Sequence, residues 1–92
     1  DSVDITAAKA QLMEAVADAL EGVRPFVPDE IEQAVRTTLK DRGAKLKDVA
    51  LACRIAVTGR KAGPGLFHIL SPIGAVTVAE RIRTAAREAT SS

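Results

Sequence analysis

Apolar residues recur along this chain at three- and four-residue intervals, the spacing of one face of an α-helix. Ile5, Ala8, Leu12, Val16, Ala19, Leu20 and Val23 trace such a stripe and predict a first helix over residues 4–21. Asp4 or Thr6 suits its N-terminal cap, and Gly22 its stop. A second helix is predicted over 28–42, with Ile31, Val35 and Leu39 inward. Pro28 fits the first helical position, where its missing N–H costs nothing. Asp29 and Glu30 then meet the positive end of the helix dipole, and Lys40 and Arg42 its negative end. Gly43 supplies a left-handed stop. Leu46, Val49, Ala50, Cys53 and Val57 predict a third helix over 46–57. The β-branched residues Ile55, Val57 and Thr58 also suit a short strand over 54–58. No second strand exists to pair with it, so helix is the expected form. A glycine-rich loop, 59–65, leads to a short helix over 66–70 closed by Ser71, Pro72 and Gly74. The last helix is expected over 75–89, with Val78, Ile82, Ala85 and Ala89 inward and the chain ends loose. Short segments joined by tight turns predict a small all-α bundle of about five helices with mostly local contacts.

Composition narrows the picture. A chain of 92 residues makes one small domain, 1–92, and is too short for most complete enzymes. It opens on Asp1 and not on methionine, and is expected to be a piece of a longer protein. An apolar share of 47% with 27% charged residues excludes wholesale disorder. The two aromatic residues, Phe26 and Phe67, are expected in the core. The lone Cys53 excludes an internal disulfide and points to a reducing, cytoplasmic setting. No apolar run approaches the roughly 20 residues of a membrane span. The net charge of +1 hides an asymmetry: residues 1–32 carry −6 and residues 33–92 carry +7. The basic centre comprises Arg36, Lys40, Arg42, Lys45, Lys47, Arg54, Arg60 and Lys61, against Asp41 and Asp48. Such a stretch faces an anion or is a solvated helix surface.

Catalytic chemistry finds no foothold. His68 has no partner at metal-ligand spacing, and Cys53 lies on an apolar stripe as a small hydrophobe. No active site, metal or cofactor is expected in this chain. The loop Gly59-Arg60-Lys61-Ala62-Gly63-Pro64-Gly65 is no Walker A motif, since Leu66 and Phe67 follow where lysine and serine or threonine belong. Its glycines expose backbone donors and acceptors, and it runs into a helix start whose first N–H groups are unpaired. Arg54, Arg60 and Lys61 bring positive charge beside it. It can meet phosphates and read unstacked bases, or it can simply be a turn with glycines chosen for their backbone angles.

The run Arg54-Ile55-Ala56-Val57-Thr58-Gly59-Arg60, a short spacer, and Gly63-Pro64-Gly65-Leu66-Phe67 resembles the C-terminal signature of bacterial-type glutamyl-tRNA synthetases. Ile69, Leu70, Gly74 and the later Ala79-Glu80-Arg81-Ile82 fit the continuation, and Pro28 to Val35 leading to Gly43 fits the upstream half. The resemblance covers about residues 26–89. Val27 stands where the family often has a threonine cap, and His68 where it usually has glutamate. Gly63 stands where some relatives have threonine, and Ser71-Pro72 interrupts a usually leucine-rich run.

The resemblance implies the distal half of the helical anticodon-binding domain of a class I aminoacyl-tRNA synthetase. The parent enzyme would attach glutamate to its tRNA with ATP and magnesium held in a catalytic domain that this chain lacks. Arg54, Gly63, Pro64 and Leu66 would contact anticodon bases, with Pro64 and Leu66 as an apolar wall. Arg60 and Lys61 would hold backbone phosphates. The expected partners are a glutamate tRNA anticodon loop and the rest of the synthetase chain, with no membrane and a monomeric fragment. The competing reading of Arg54 is a salt bridge to Asp48 or another acid. The competing reading of the whole is a helical protein-interaction or structural module.

Overall fold

The computed structural model describes residues 5–90, and Asp4, Ser91 and Ser92 lie outside them. The chain folds as five α-helices with no strand among the described residues: α1 (Ala7–Glu21), α2 (Pro28–Asp41), α3 (Ala50–Thr58), α4 (Leu66–Ile73) and α5 (Ala75–Thr90). Residues 54–58 are therefore helical, as expected for a segment with no strand to pair with.

α1 starts where its cap is. Thr6 holds extended backbone angles and its hydroxyl accepts the Lys9 N–H at 3.1 Å. α2 begins at Pro28 behind Val27, which offers no side-chain cap. It ends as its glycine dictates: Gly43 takes φ +69°, and the Ala44 N–H turns back to the Leu39 carbonyl at 2.8 Å.

The third predicted helix is split. Residues Leu46–Asp48 form a 3₁₀ turn, and α3 starts only after Val49. The cause is local: an Asp48 carboxylate oxygen accepts the Lys45 N–H at 2.9 Å, and this side-chain bond competes with a continuous helix. The fourth helix runs past its predicted end, with Ser71 and Pro72 inside it. Pro72 removes one intrahelical donor near the terminus, while the Ser71 hydroxyl donates to the Phe26 carbonyl at 2.9 Å and ties this turn to the entry of α2.

α1 and α5 pack antiparallel. Arg83 reaches Glu21 at 2.6 Å and also Asp18, and Arg87 reaches Glu14 at 3.5 Å. Their interface buries Ala10, Met13, Val16, Ala17 and Leu20 against Val78, Ala79, Ile82 and Ala86. This corrects the predicted stripes. Ala8 and Ala89 are exposed and Ala85 is half-buried, because the core lines pass through Ala10 and Met13 on α1 and through Ala86 on α5. Ile31, Val35 and Leu39 of α2, Val49, Ala52, Cys53 and Val57 around α3, and Leu66 and Leu70 of α4 complete the core. Phe26 and Phe67 pack at its margin, half-buried. The core is aliphatic, so α1 and α5 approach through alanines.

Candidate nucleic-acid interface

The exposed loop of residues 59–65 leaves the end of α3 and enters the start of α4. Gly59 ends α3 in the left-handed region, φ +75°, and its N–H donates to the Ile55 carbonyl at 2.8 Å. A side chain there would strain the backbone, which is why glycine stands at this exit. Thr58 fixes the first step of the loop. Its hydroxyl donates to the Arg54 carbonyl at 2.7 Å and accepts the Arg60 N–H at 3.1 Å.

Arg54 fixes the far side. It lies one turn before Thr58, and its guanidinium donates from Nη1 to the Pro64 carbonyl at 2.7 Å. The predicted alternative, an ion pair with Asp48, does not form among the described residues, since Asp48 accepts the Lys45 N–H in its own turn. Gly63 stands beside this contact with φ +153°, a backbone conformation that side chains strain; a Cβ there would meet Arg54 Nη1 and the Ile69 Cδ1 at an ordinary 3.6 Å, so the backbone angle and not crowding calls for glycine.

α4 then begins behind Gly65, which brings no side-chain cap. The Gly65 carbonyl accepts from the N–H groups of His68 and Ile69, both at 3.1 Å. The N–H groups of Leu66 and Phe67 precede the first intrahelical bond and point back along the loop at the positive end of α4. At the opposite junction, the Arg81 guanidinium of α5 donates to the Val57 carbonyl at 2.8 Å. That cation covers the negative end of α3 beside the loop.

The structure thus brings Arg54, Gly63 and Pro64 into direct contact, with Arg60 and Lys61 exposed on the same loop. Leu66 departs from its expected role as half of an apolar wall. It is 8% exposed and belongs to the core, so the apolar face of the loop is left to Pro64 and the small Ala62. Leu66 instead anchors the loop's exit. Thr58 and Arg81 were missed by sequence reasoning. The Thr58-Gly59 pair at a helix end was a signal for the first. Arg81 carried none, because its partner lies 24 positions away.

The other candidates lie apart from this arrangement. Cys53 is 3% exposed, and burial pushes its thiol up to about 12, far from a nucleophile at neutral pH. His68 is exposed with no second ligand, and no metal-binding cluster of histidine, cysteine or carboxylates occurs among the described residues. No helix is long and apolar enough to cross a membrane.

A family model described as an anticodon binding domain matches residues 2–86. The chain is 37% identical over 73 residues to a glutamate–tRNA ligase of Bacillus pumilus, covering 79% of this chain and 15% of that protein. It is 37% identical over 89 residues to a glutamate–tRNA ligase of Syntrophus aciditrophicus, covering 89% of this chain and 19% of that one. A glutamate–tRNA ligase of Rhodopseudomonas palustris is 43% identical over 56 residues, covering 61% and 12%. The chain therefore spans less than a fifth of the length of these relatives.

Proposed function

This chain belongs to the anticodon-binding domain family, and on that premise we propose that it recognises the anticodon loop of a glutamate tRNA as the distal part of a glutamyl-tRNA synthetase. The Arg54–Pro64 bond is the observation that carries the proposal. It commits one guanidinium nitrogen to the loop and leaves the rest of the planar donor fork for a base edge or a phosphate. It also holds Pro64 outward, as a flat apolar surface for a splayed base.

The backbone supplies discrimination. Donors and acceptors at Gly63 and Gly65 and the first N–H groups of α4 meet base edges. A mismatched base leaves such a group buried and unpaired, at a cost of roughly 1–3 kcal/mol. Leu66 contributes through its backbone. Arg60 and Lys61 attract phosphates without selecting sequence. Glutamate activation with ATP and magnesium belongs, in this proposal, to another part of a longer cytoplasmic chain. The domain then works beside a catalytic unit that holds the acceptor end of the same tRNA, and effective concentration raises the affinity of each contact.

A protein-docking module would need a contiguous apolar patch. Among the described residues the large apolar side chains that are exposed are Val27 just before α2, Leu51 on α3 and Val76 on α5, separate positions of the kind ordinary on a protein surface.

The test is an amide-shift NMR titration of the 92-residue chain with a glutamate tRNA anticodon stem-loop and with a loop altered at the second and third anticodon bases. Shifts centred on Arg54 and residues 59–66, stronger for the unaltered loop, are expected. Equal shifts that vanish with salt would reduce the interaction to phosphate attraction. The absence of any shift at millimolar RNA would overturn recognition by this chain unaided.

A further inference from the structure

A second basic site lies away from the 59–65 loop, at the opposite end of α3. The last turns of α2 and the 3₁₀ turn after it enclose an open cleft lined by Arg36, Lys40, Lys45 and Lys47. Its floor is Leu39, which is buried, and Leu46, which is half-buried. No acid lines it.

Local electrostatics accounts for part of this charge only. Arg36 bonds Glu32 at 2.7 Å, one helical turn back. Lys40 complements the negative end of α2, where the dipole amounts to about half a charge. Lys45 and Lys47 remain. Asp48, the nearest acid in sequence, turns a carboxylate oxygen to the Lys45 N–H. None of the three lysines has a carboxylate partner among the described residues. Like charges gathered on one cleft repel each other, and a polyanion relieves that repulsion.

We infer that this cleft binds phosphates of the RNA backbone flanking the anticodon, as a positioning site separate from base recognition. The inference rests on the tRNA assignment above. Its further support is placement. The 3₁₀ turn leads directly into α3, and α3 ends at the Gly59–Pro64 loop. Nine helical residues at 1.5 Å each put about 14 Å between the start of α3, which follows Lys45 and Lys47, and its end, which precedes Arg60 and Lys61. Two clusters fixed at that spacing suit successive stretches of one continuous strand, where isolated phosphate ions would need no such spacing. The cleft has no aromatic or amide group to read a base, so it adds affinity and register without sequence preference.

The test compares the chain with its Lys40→Ala/Lys45→Ala/Lys47→Ala variant in fluorescence anisotropy, over a salt series, with the unaltered and the altered stem-loop. All three side chains are exposed, and circular dichroism checks that the variant keeps its helices. Affinity is expected to fall roughly tenfold or more at low salt, equally for both loops. The slope of log affinity against log salt is expected to drop by about 2, near 0.7 to 0.9 for each phosphate lost. Unchanged affinity and slope would overturn the site and leave the cleft to an acidic protein surface. A loss confined to the unaltered loop would also overturn it, since that is a base-reading effect. Arg54→Ala runs beside it and is expected to lose loop preference while the triple-lysine variant keeps it; if the unmodified chain binds both loops equally at every salt concentration, the tRNA assignment fails whatever the lysines do. If the unmodified chain binds neither loop, both fail.

Discussion

Arg54 and Pro64 stand ten positions apart, and the 2.7 Å bond from the guanidinium to the prolyl carbonyl makes one side chain both brace and donor for the loop between them. Arg54→Lys keeps the charge and loses the fork. Loop preference in the titration is expected to disappear in Arg54→Lys, while non-specific RNA affinity at low salt stays within about threefold, because phosphate attraction depends on charge. Retained preference would show that the fork reads nothing.

Thr58 is the smaller brace. Thr58→Val keeps its shape and removes the hydroxyl that joins the Arg54 carbonyl to the Arg60 N–H. The expected loss of stability is about 1 kcal/mol, the usual net worth of such a bond. Faster amide exchange at Arg60 is expected with it. A denaturant midpoint unchanged from the parent chain, with unchanged exchange, would remove Thr58 from the loop's support.

Glu21 sets an acid dependence. Its hydrogen bond from Arg83, and that cation's charge, hold the carboxyl below its ordinary value of 4.5. A carboxyl depressed in the folded state stabilises the fold above its unfolded pKa, and that contribution is lost as pH falls through the folded value. The melting temperature is therefore expected to decline below about pH 4.5, and Arg83→Gln is expected to flatten that decline. Parallel pH curves for the two proteins would exclude the pair as its source. Glu21 is exposed, so high salt is expected to diminish the effect.

Cys53 reports on opening of the core. Its thiol, raised to about 12 by burial, is expected to resist alkylation at pH 8 in the native chain and to react at once in denaturant. Under native conditions the rate then measures how often α3 leaves the core. Alkylation at the speed of a free thiol would contradict its burial.

Ile82, fully buried on α5, tests the packing against α1. Ile82→Ala is expected to cost about 2–5 kcal/mol, a large part of the stability of a domain this small. Chemical denaturation gives the number directly, and a cost below 1 kcal/mol would place the side chain outside the main interface.

Local chemistry made α2 legible. Pro28, the acids behind it, the Ile31–Val35–Leu39 stripe and Gly43 each act within a turn of where they sit. α1 was harder because alanines surround it. Apolar residues occupy several of its faces, and it takes packing against α5 and α2 to select the Ala10–Met13 line over Ala8. The break before α3 came from one carboxylate outcompeting the helix, and the longer α4 from a proline tolerated near its end. In the candidate site, Arg54, Gly63 and Pro64 were legible as a signature but not as a contact, since periodicity says nothing about a side chain reaching across a loop. The inward turn of Leu66 followed from packing against the core. The bond from Arg81 to Val57 joins elements far apart in the chain, and no local pattern marks it.

That bond ties the loop to the order of synthesis. α5 is made last of the five helices, yet it covers the buried face of α1, the first, and Arg81 on it closes the end of α3. A ribosome that has released only the first four helices leaves α1 without its main partner and the loop without one of its fastenings. The surface around residues 59–65 therefore takes its final form only after α5 has been made, and a chain stopped short of Arg81 displays the loop with one fastening missing.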